Sequence, residues 1–363
     1  MLYDFAASSP IALIALGTIV LCGTLGGLLM SFILINRARL QYQERRDERL
    51  IAKHEDSLFE ILIGEQKRLD PRAYRFAVDQ LRIAFSGSAV RALKETMVLL
   101  GRDLSGENMV LLHELYQDLR LDQPAIRMLQ KGNWGDKITA VKELGHFGVT
   151  HAIPHLNDLT EDPHETVRGE AQCALLRLGG AAQLDFLATL NQPITRWQQI
   201  RLVNVLKRFD QDKLPDFQLY LTNPNESVTL FVLQLIRLYN QTHARDMVVE
   251  KLFDPRPTVQ REAIKTVSGW LDQDVVELLM ILYAEGAQPV HVSVVQALRQ
   301  WMYDKDTRHF LEDVAENTED YTLRMNALRS LKLLGGDEAI MPLSDTPDET
   351  IQRCVTHQLD HRI

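Results

Sequence analysis

Residues 161–180 read EDPHETVRGEAQCALLRLGG. An acidic turn containing Pro163 precedes an alanine-rich run that closes on Gly179-Gly180. The apolar positions Val167, Ala171, Ala174, Leu175 and Leu178 fall at offsets 0, 4, 7, 8 and 11. That spacing is one face of an α-helix, and paired glycines are a helix stop. His164-Glu165 offers a competing reading, as metal ligands. Recurrence of the pattern decides between them.

The pattern recurs. Val228 is followed by Val232, Leu235 and Ile236, Val259 by Ala263 and Val267, and Val290 by Val294, Ala297 and Leu298. Copies start at Asp136, Val167, Gln198, Val228, Val259, Val290, Leu323 and Ile351, separated by 31, 31, 30, 31, 31, 33 and 28 residues. A shorter apolar run precedes each copy after the first, as in AIPHLNDL (152–159), FQLYL (217–221) and VVELLMILY (275–283). The linking turns (EDPHET, TNPNES, DTPDET) hold Asp and Asn, which cap helices by accepting their free N–H groups. A helix pair this small cannot bury its own apolar face, so neighbouring copies must stack. The chain is therefore read as all-α, a solenoid of helix pairs with a period of about 31.

The stretch AIPHLNDLTEDPHETVRGEAQCALLRLGG resembles a HEAT repeat of the compact bacterial kind, through its AIP opening, acid in the turn, Val-Arg helix start, inward alanines and LGG close. The resemblance covers residues 136–363, is clearest in this one copy, and implies a right-handed, armadillo-like α-solenoid. Residues 71–135 are helical by pattern and are read as diverged opening repeats.

Residues 11–35 contain no charged residue over twenty-five positions. As a helix they rise ~37 Å, enough to cross a bilayer. A cleaved signal peptide would need a basic leader and a shorter apolar core. Residues 1–10 lack Lys and Arg, whereas Arg37, Arg39, Arg45, Arg46, Arg49 and Lys53 follow the span. The positive-inside rule then makes 1–10 a short extracytoplasmic tail and puts 36–363 in the cytoplasm, at a bacterial-type inner membrane. Gly23 and Gly27 form a GxxxG, a route to a homodimer through the anchor. Residues 36–70 read as a charged helical stalk whose Arg37, Arg39, Arg45 and Arg46 would be drawn to anionic headgroups, at ~1 kcal/mol each. Three cysteines with no CxxC give no disulfide framework and suit a reducing compartment.

The net charge of −9 argues against broad nucleic-acid binding. Residues 54–363 carry 34 Lys and Arg against 45 Asp and Glu. HEAT-like di-iron hydroxylases place a His-Glu pair within several second helices. The matching positions here are Gly169-Glu170 and Arg261-Glu262, so the histidines are missing. His151 with His155, and His357 with His361, have no third ligand fixed by spacing, and HExxH, GxxxxGK[ST] and GxSxG are absent. No metal or cofactor is expected.

One stripe, broken at Ser268, has two readings, a binding ridge or Lys and Arg at exposed positions whose stems cover apolar surface. Offset 9 holds Lys207, Arg237, Arg299 and Lys332, and offset 6 holds Asn204, Gln234, Lys265, Gln296 and Arg329. Residues three apart share a helix face, so stacking would join them into a basic and polar ridge. The expected function is a membrane-anchored scaffold for protein–protein interaction. It would dock an acidic protein segment or a neighbouring membrane enzyme, in a setting such as envelope biogenesis or secretion. The alternative is a HEAT-like, lyase-like enzyme whose site shows no motif.

Overall fold

The computed structural model describes residues 10–63, 70–85, 89–270, 272–286, 288–301 and 304–360, and these contain helices and turns but no strand. Expectations for residues 1–9, the stalk segment 64–69 and His361 lie outside them. Two compact units are resolved, one of residues 1–127 with 146–149, the other of 128–145 with 150–363.

In the first unit, α1 (Pro10–Ile63) runs 54 residues without interruption, so the apolar stretch and the stalk are one helix. No proline follows Pro10 within it, which leaves the backbone ladder unbroken. Its far end is seated in a core. Leu58 and Ile61 are buried, and the helix packs against α2 (Pro71–Ala84), α3 (Ala89–Asp103) and α4 (Glu107–Asp118). Asp70 caps α2 by accepting from the N–H groups of Arg72 and Ala73 at 3.0 and 3.1 Å. Leu81, Leu93, Met97 and Leu115 fill the interior. Tyr116 stacks on Phe147 with ring centroids 4.1 Å apart.

After α5 (Asp122–Lys131) and α6 (Trp134–His146), the second unit lays down the repeats. Its second helices are α8 (Glu165–Gly179), α10 (Arg196–Leu206), α11 (Glu226–Leu238), α13 (Pro257–Val267), α15 (Gln288–Leu298), α17 (Tyr321–Gly335) and α18 (Glu349–Leu359). Each packs on the leading turn or helix of its own copy and, most closely from α11 to α17, on the next second helix in the series, which is the arrangement of an α-solenoid. Asn225, Asp272, Asp304, Asp320 and Asp348 cap the helices that follow them, accepting from Ser227, Val275, Thr307, Leu323 and Thr350 N–H. α8 ends where expected, with Gly180 at φ +80°, and α17 ends the same way with Gly336 at φ +65°. Glycine takes that left-handed conformation without a Cβ penalty.

Three details depart from the sequence reading. First, the leading helices of the middle copies are short. LDFLATL divides into a 3-10 turn and α9 (Phe186–Thr189), MVVEKLF into α12 (Arg245–Glu250) and a 3-10 turn, and FQLYL holds only a 3-10 turn, Phe217–Tyr220. Second, α8 is buried from Val167 through Ala171 to Leu176 on all sides, because α7 (Ile153–Asp158) and α10 flank it. Its buried Arg168 is satisfied internally, the guanidinium donating to the carbonyls of Asp162 and Pro163 at 2.9 and 3.1 Å. Third, Trp270 and Trp301 stand at a core offset yet are half-buried. Trp270 Nε1 donates to Asn240 Oδ1 at 2.8 Å, which keeps its edge near solvent.

Candidate functional site

The consecutive pairs α11–α13, α13–α15 and α15–α17 pack tightly, whereas α10 and α11 approach one another less closely. At that loose joint lies an open groove of about 670 Å³. α10 is fixed by a capping box, in which Thr195 accepts from Gln198 N–H while the Gln198 side chain accepts from Thr195 N–H. Leu202, Val205 and Leu206 point into the core. Rotation by 3.6 residues per turn therefore presents Arg196, Ile200, Val203, Asn204 and Lys207 along one wall. Leu230, Gln234 and Arg237 of α11 form the opposite wall, with Glu262 and Lys265 of α13 beyond them.

The groove is positive. Arg196, Lys207, Arg237 and Lys265 face a single carboxylate, Glu262. Arg237 Nη2 lies 2.9 Å and Lys265 Nζ 3.5 Å from Glu262, which is itself buried. Glu262 Oε1 receives no aligned hydrogen bond, so its pairing with Arg237 is Coulombic contact rather than a directed bond. Arg196 and Lys207 make no ion pair or side-chain hydrogen bond among the described residues. The groove also holds apolar surface. Ile200 in its lining is 45% exposed, and Trp197, outside the lining but three residues before Ile200 on α10, is 67% exposed.

Asn204, Lys207, Gln234, Arg237 and Lys265 thus share one groove, while Gln296, Arg299, Arg329 and Lys332 lie outside it. Arg299 and Arg329 are exposed, and Arg299 opens a 3-10 turn rather than continuing α15. Gln296 donates to Asn326 Oδ1 at 2.9 Å. Lys332 pairs with Asp337 at 3.1 Å and donates to the Gln358 carbonyl, so it serves the fold.

Sequence spacing placed Glu170 and Glu262 at matching positions but did not find the cations they pair with. Glu170 pairs with Arg201 of the next copy at 2.8 Å and with Lys142 of the previous one at 3.6 Å. Three copies after Glu170, Glu262 stands at the same offset and pairs with Arg237 of the previous copy and with Lys265 of its own helix. The signal in the sequence is the third offset, which holds Glu170 in one copy, Arg201 in the next and Glu262 two copies later.

Arg37, Arg39, Arg45 and Arg46 are exposed on α1, and a Cβ at Gly23 or Gly27 would meet nothing within 4 Å. A second groove, of about 720 Å³ between α1 and α3, is lined by Glu44, Asp47, Glu48 and Glu95 beside Arg91. Neither groove contains His or Cys. Glu165 opens α8, where a carboxylate favours the positive helix end. The His164 ring stacks on Trp134 at 4.6 Å. Among the described residues no three His, Cys, Asp or Glu side chains gather as a metal site. Burial raises the Cys173 thiol above its ordinary value, keeping it protonated and unreactive.

No family model matches this chain. No curated protein matches either. Solved structures do. An engineered protein aligns at 15% identity over 83% of this chain and 97% of its own, with a TM-score of 0.35. Human deoxyhypusine hydroxylase in complex with glycerol aligns at 16% identity over 88% and 96%, TM-score 0.27. Kap121p bound to Ste12p aligns at 14% identity over 83% of this chain and 36% of that one, TM-score 0.31. At such scores the similarity brings no ligand or chemistry with it. The solenoid is established by the chain's own stacking.

Proposed function

We propose that the chain is a single-pass membrane protein whose cytoplasmic helical repeats dock an acidic segment of a protein partner. The observation that carries this is the groove between α10 and α11, which sets four cations against one carboxylate in a chain of net charge −9. Local charge so contrary to the molecule's balance supports an anionic ligand, and the exposed Ile200 and Trp197 beside it support one with apolar side chains. Phosphodiester polymers are disfavoured by the acidic remainder of the chain.

The anchor reading is supported by what α1 exposes. Leu28, Phe32 and Ile19 are 67–69% accessible on a helix whose apolar window, of mean hydropathy 2.2, is covered by nothing among the described residues. Uncovered apolar surface of that extent is costly in water and neutral in lipid. The flanking arginines support an orientation with the repeats on the cytoplasmic side of a bacterial-type inner membrane.

The test is photo-crosslinking in intact membranes from a residue introduced at Asn204, beside the same chain carrying Lys207→Glu and Arg237→Glu. Docking of an acidic segment gives crosslinked peptides rich in Asp and Glu, lost in the folded double variant. Identical crosslinks in both chains would remove the groove from the interaction.

A further inference from the structure

The groove specifies more than the sign of its ligand. Arg196 opens α10 and Lys207 follows its last residue, so the two unpaired cations stand at opposite ends of one helix. Eleven residues at 1.5 Å rise separate their Cα atoms by ~16 Å along the axis. Ile200 lies between them, about 6 Å from Arg196 by the same measure. Arg196, Ile200, Val203 and Lys207 fall at offsets 0, 4, 7 and 11, a single straight face. The central cations are different in kind, because Arg237 and Lys265 are already held by Glu262. The free positive charge is therefore bipolar, at the two ends, with apolar floor between.

We infer that the groove takes an extended acidic segment of the form acid–x–apolar–x–acid, lying along α10 with its apolar side chain on Ile200 and its carboxylates at Arg196 and Lys207. This rests on the docking function proposed above and gives it a recognition rule. In an extended chain alternate residues face one wall. Successive same-face positions lie ~6.6 Å apart, which matches the step from Arg196 to Ile200. The two acids are then ~13 Å apart, and the long Arg and Lys side chains span the remaining ~3 Å. A helical ligand would present charges at that distance nine residues apart rather than four. The exposed Trp197 indole borders the apolar position and favours a large aliphatic or aromatic side chain there.

The experiment uses the full chain in nanodiscs of zwitterionic lipid and two fluorescent peptides of equal composition. One has Asp, Ser, Leu, Ser and Asp in sequence within a Gly-Ser frame, and the other places its two Asp residues side by side. The spaced peptide is expected to bind at least ~5-fold more tightly, with Arg196→Glu and Lys207→Glu each losing ~5-fold or more. Both variants alter exposed side chains, and unchanged thermal unfolding confirms that they fold. Equal binding of the two peptides would sink the spacing rule while leaving the docking function intact. If neither peptide binds, yet the Asn204 crosslinks map to acidic segments, the extended pose is wrong. Displacement of the spaced peptide by single-stranded DNA or by anionic vesicles at matched charge would overturn the choice of a protein segment, and the docking function with it.

Discussion

Arg168 shows how one side chain holds a repeat closed. It is 5% exposed, and its guanidinium bridges two carbonyls of the turn preceding its own helix. Asp162 of that turn accepts from His164 N–H and from Lys137 Nζ, so the backbone there is fixed from both sides. Arg324, at the same offset five copies on, repeats the device by donating to the carbonyls of Ala315 and Thr318. Hydrogen bonds from a charged donor are worth ~1.5–3 kcal/mol, and removal leaves buried acceptors unpaired. Arg168→Ala should therefore destabilise the second unit by ~2–3 kcal/mol, read as a lower unfolding midpoint of the full chain in detergent. An unchanged midpoint would mean that water replaces the guanidinium. The sequence marks the Val-Arg pair as a helix start; that Arg168 folds back onto its turn follows from tertiary placement and has no periodic signature.

At the scale of elements, the turn after α6 brings His113 of α4 against backbone. Gly148 adopts φ +62°, and a Cβ there would stand 2.5 Å from His113 Nδ1. Burial, with His146 nearby, holds His113 below its ordinary histidine value. Its neutral form is favoured in the folded state, so this contribution to stability is complete above the unfolded value of ~6.5 and is lost as pH falls below it. The unfolding midpoint should drop between pH 7.5 and 5.5, and His113→Gln should drop less. An equal drop in both proteins would assign the pH dependence elsewhere. The second helices were legible because each has one clear period against a core. The first helices were less so, since FQLYL lies between Pro215 and Pro224 and too few residues remain for an α-helical turn to propagate. The groove was half legible. Repeat offsets placed Asn204, Lys207, Gln234, Arg237 and Lys265 on one face. They did not reveal that the α10–α11 joint is looser than the others, nor that Glu262 claims two of the cations. Arg196 precedes the repeat template by two residues and so escaped alignment.

For the whole molecule, the proposed topology makes a direct prediction. Protease added to intact spheroplasts should leave the repeats whole, while the same protease added to inverted vesicles should degrade them. Cleavage from the outside would reverse the orientation inferred from Arg37, Arg39, Arg45 and Arg46. The continuity of α1 has a mechanical meaning. Its 54 residues form a rod ~80 Å long, with the apolar window at one end and the buried Leu58 and Ile61 at the other. No proline or loop interrupts the described helix, so it has no joint at which motion could be absorbed. A tilt of ~10° at the apolar end carries the other end through ~14 Å at that length. On the proposed topology, a neighbour that leans on the span in the bilayer works a lever whose long arm is planted in the core of the first unit.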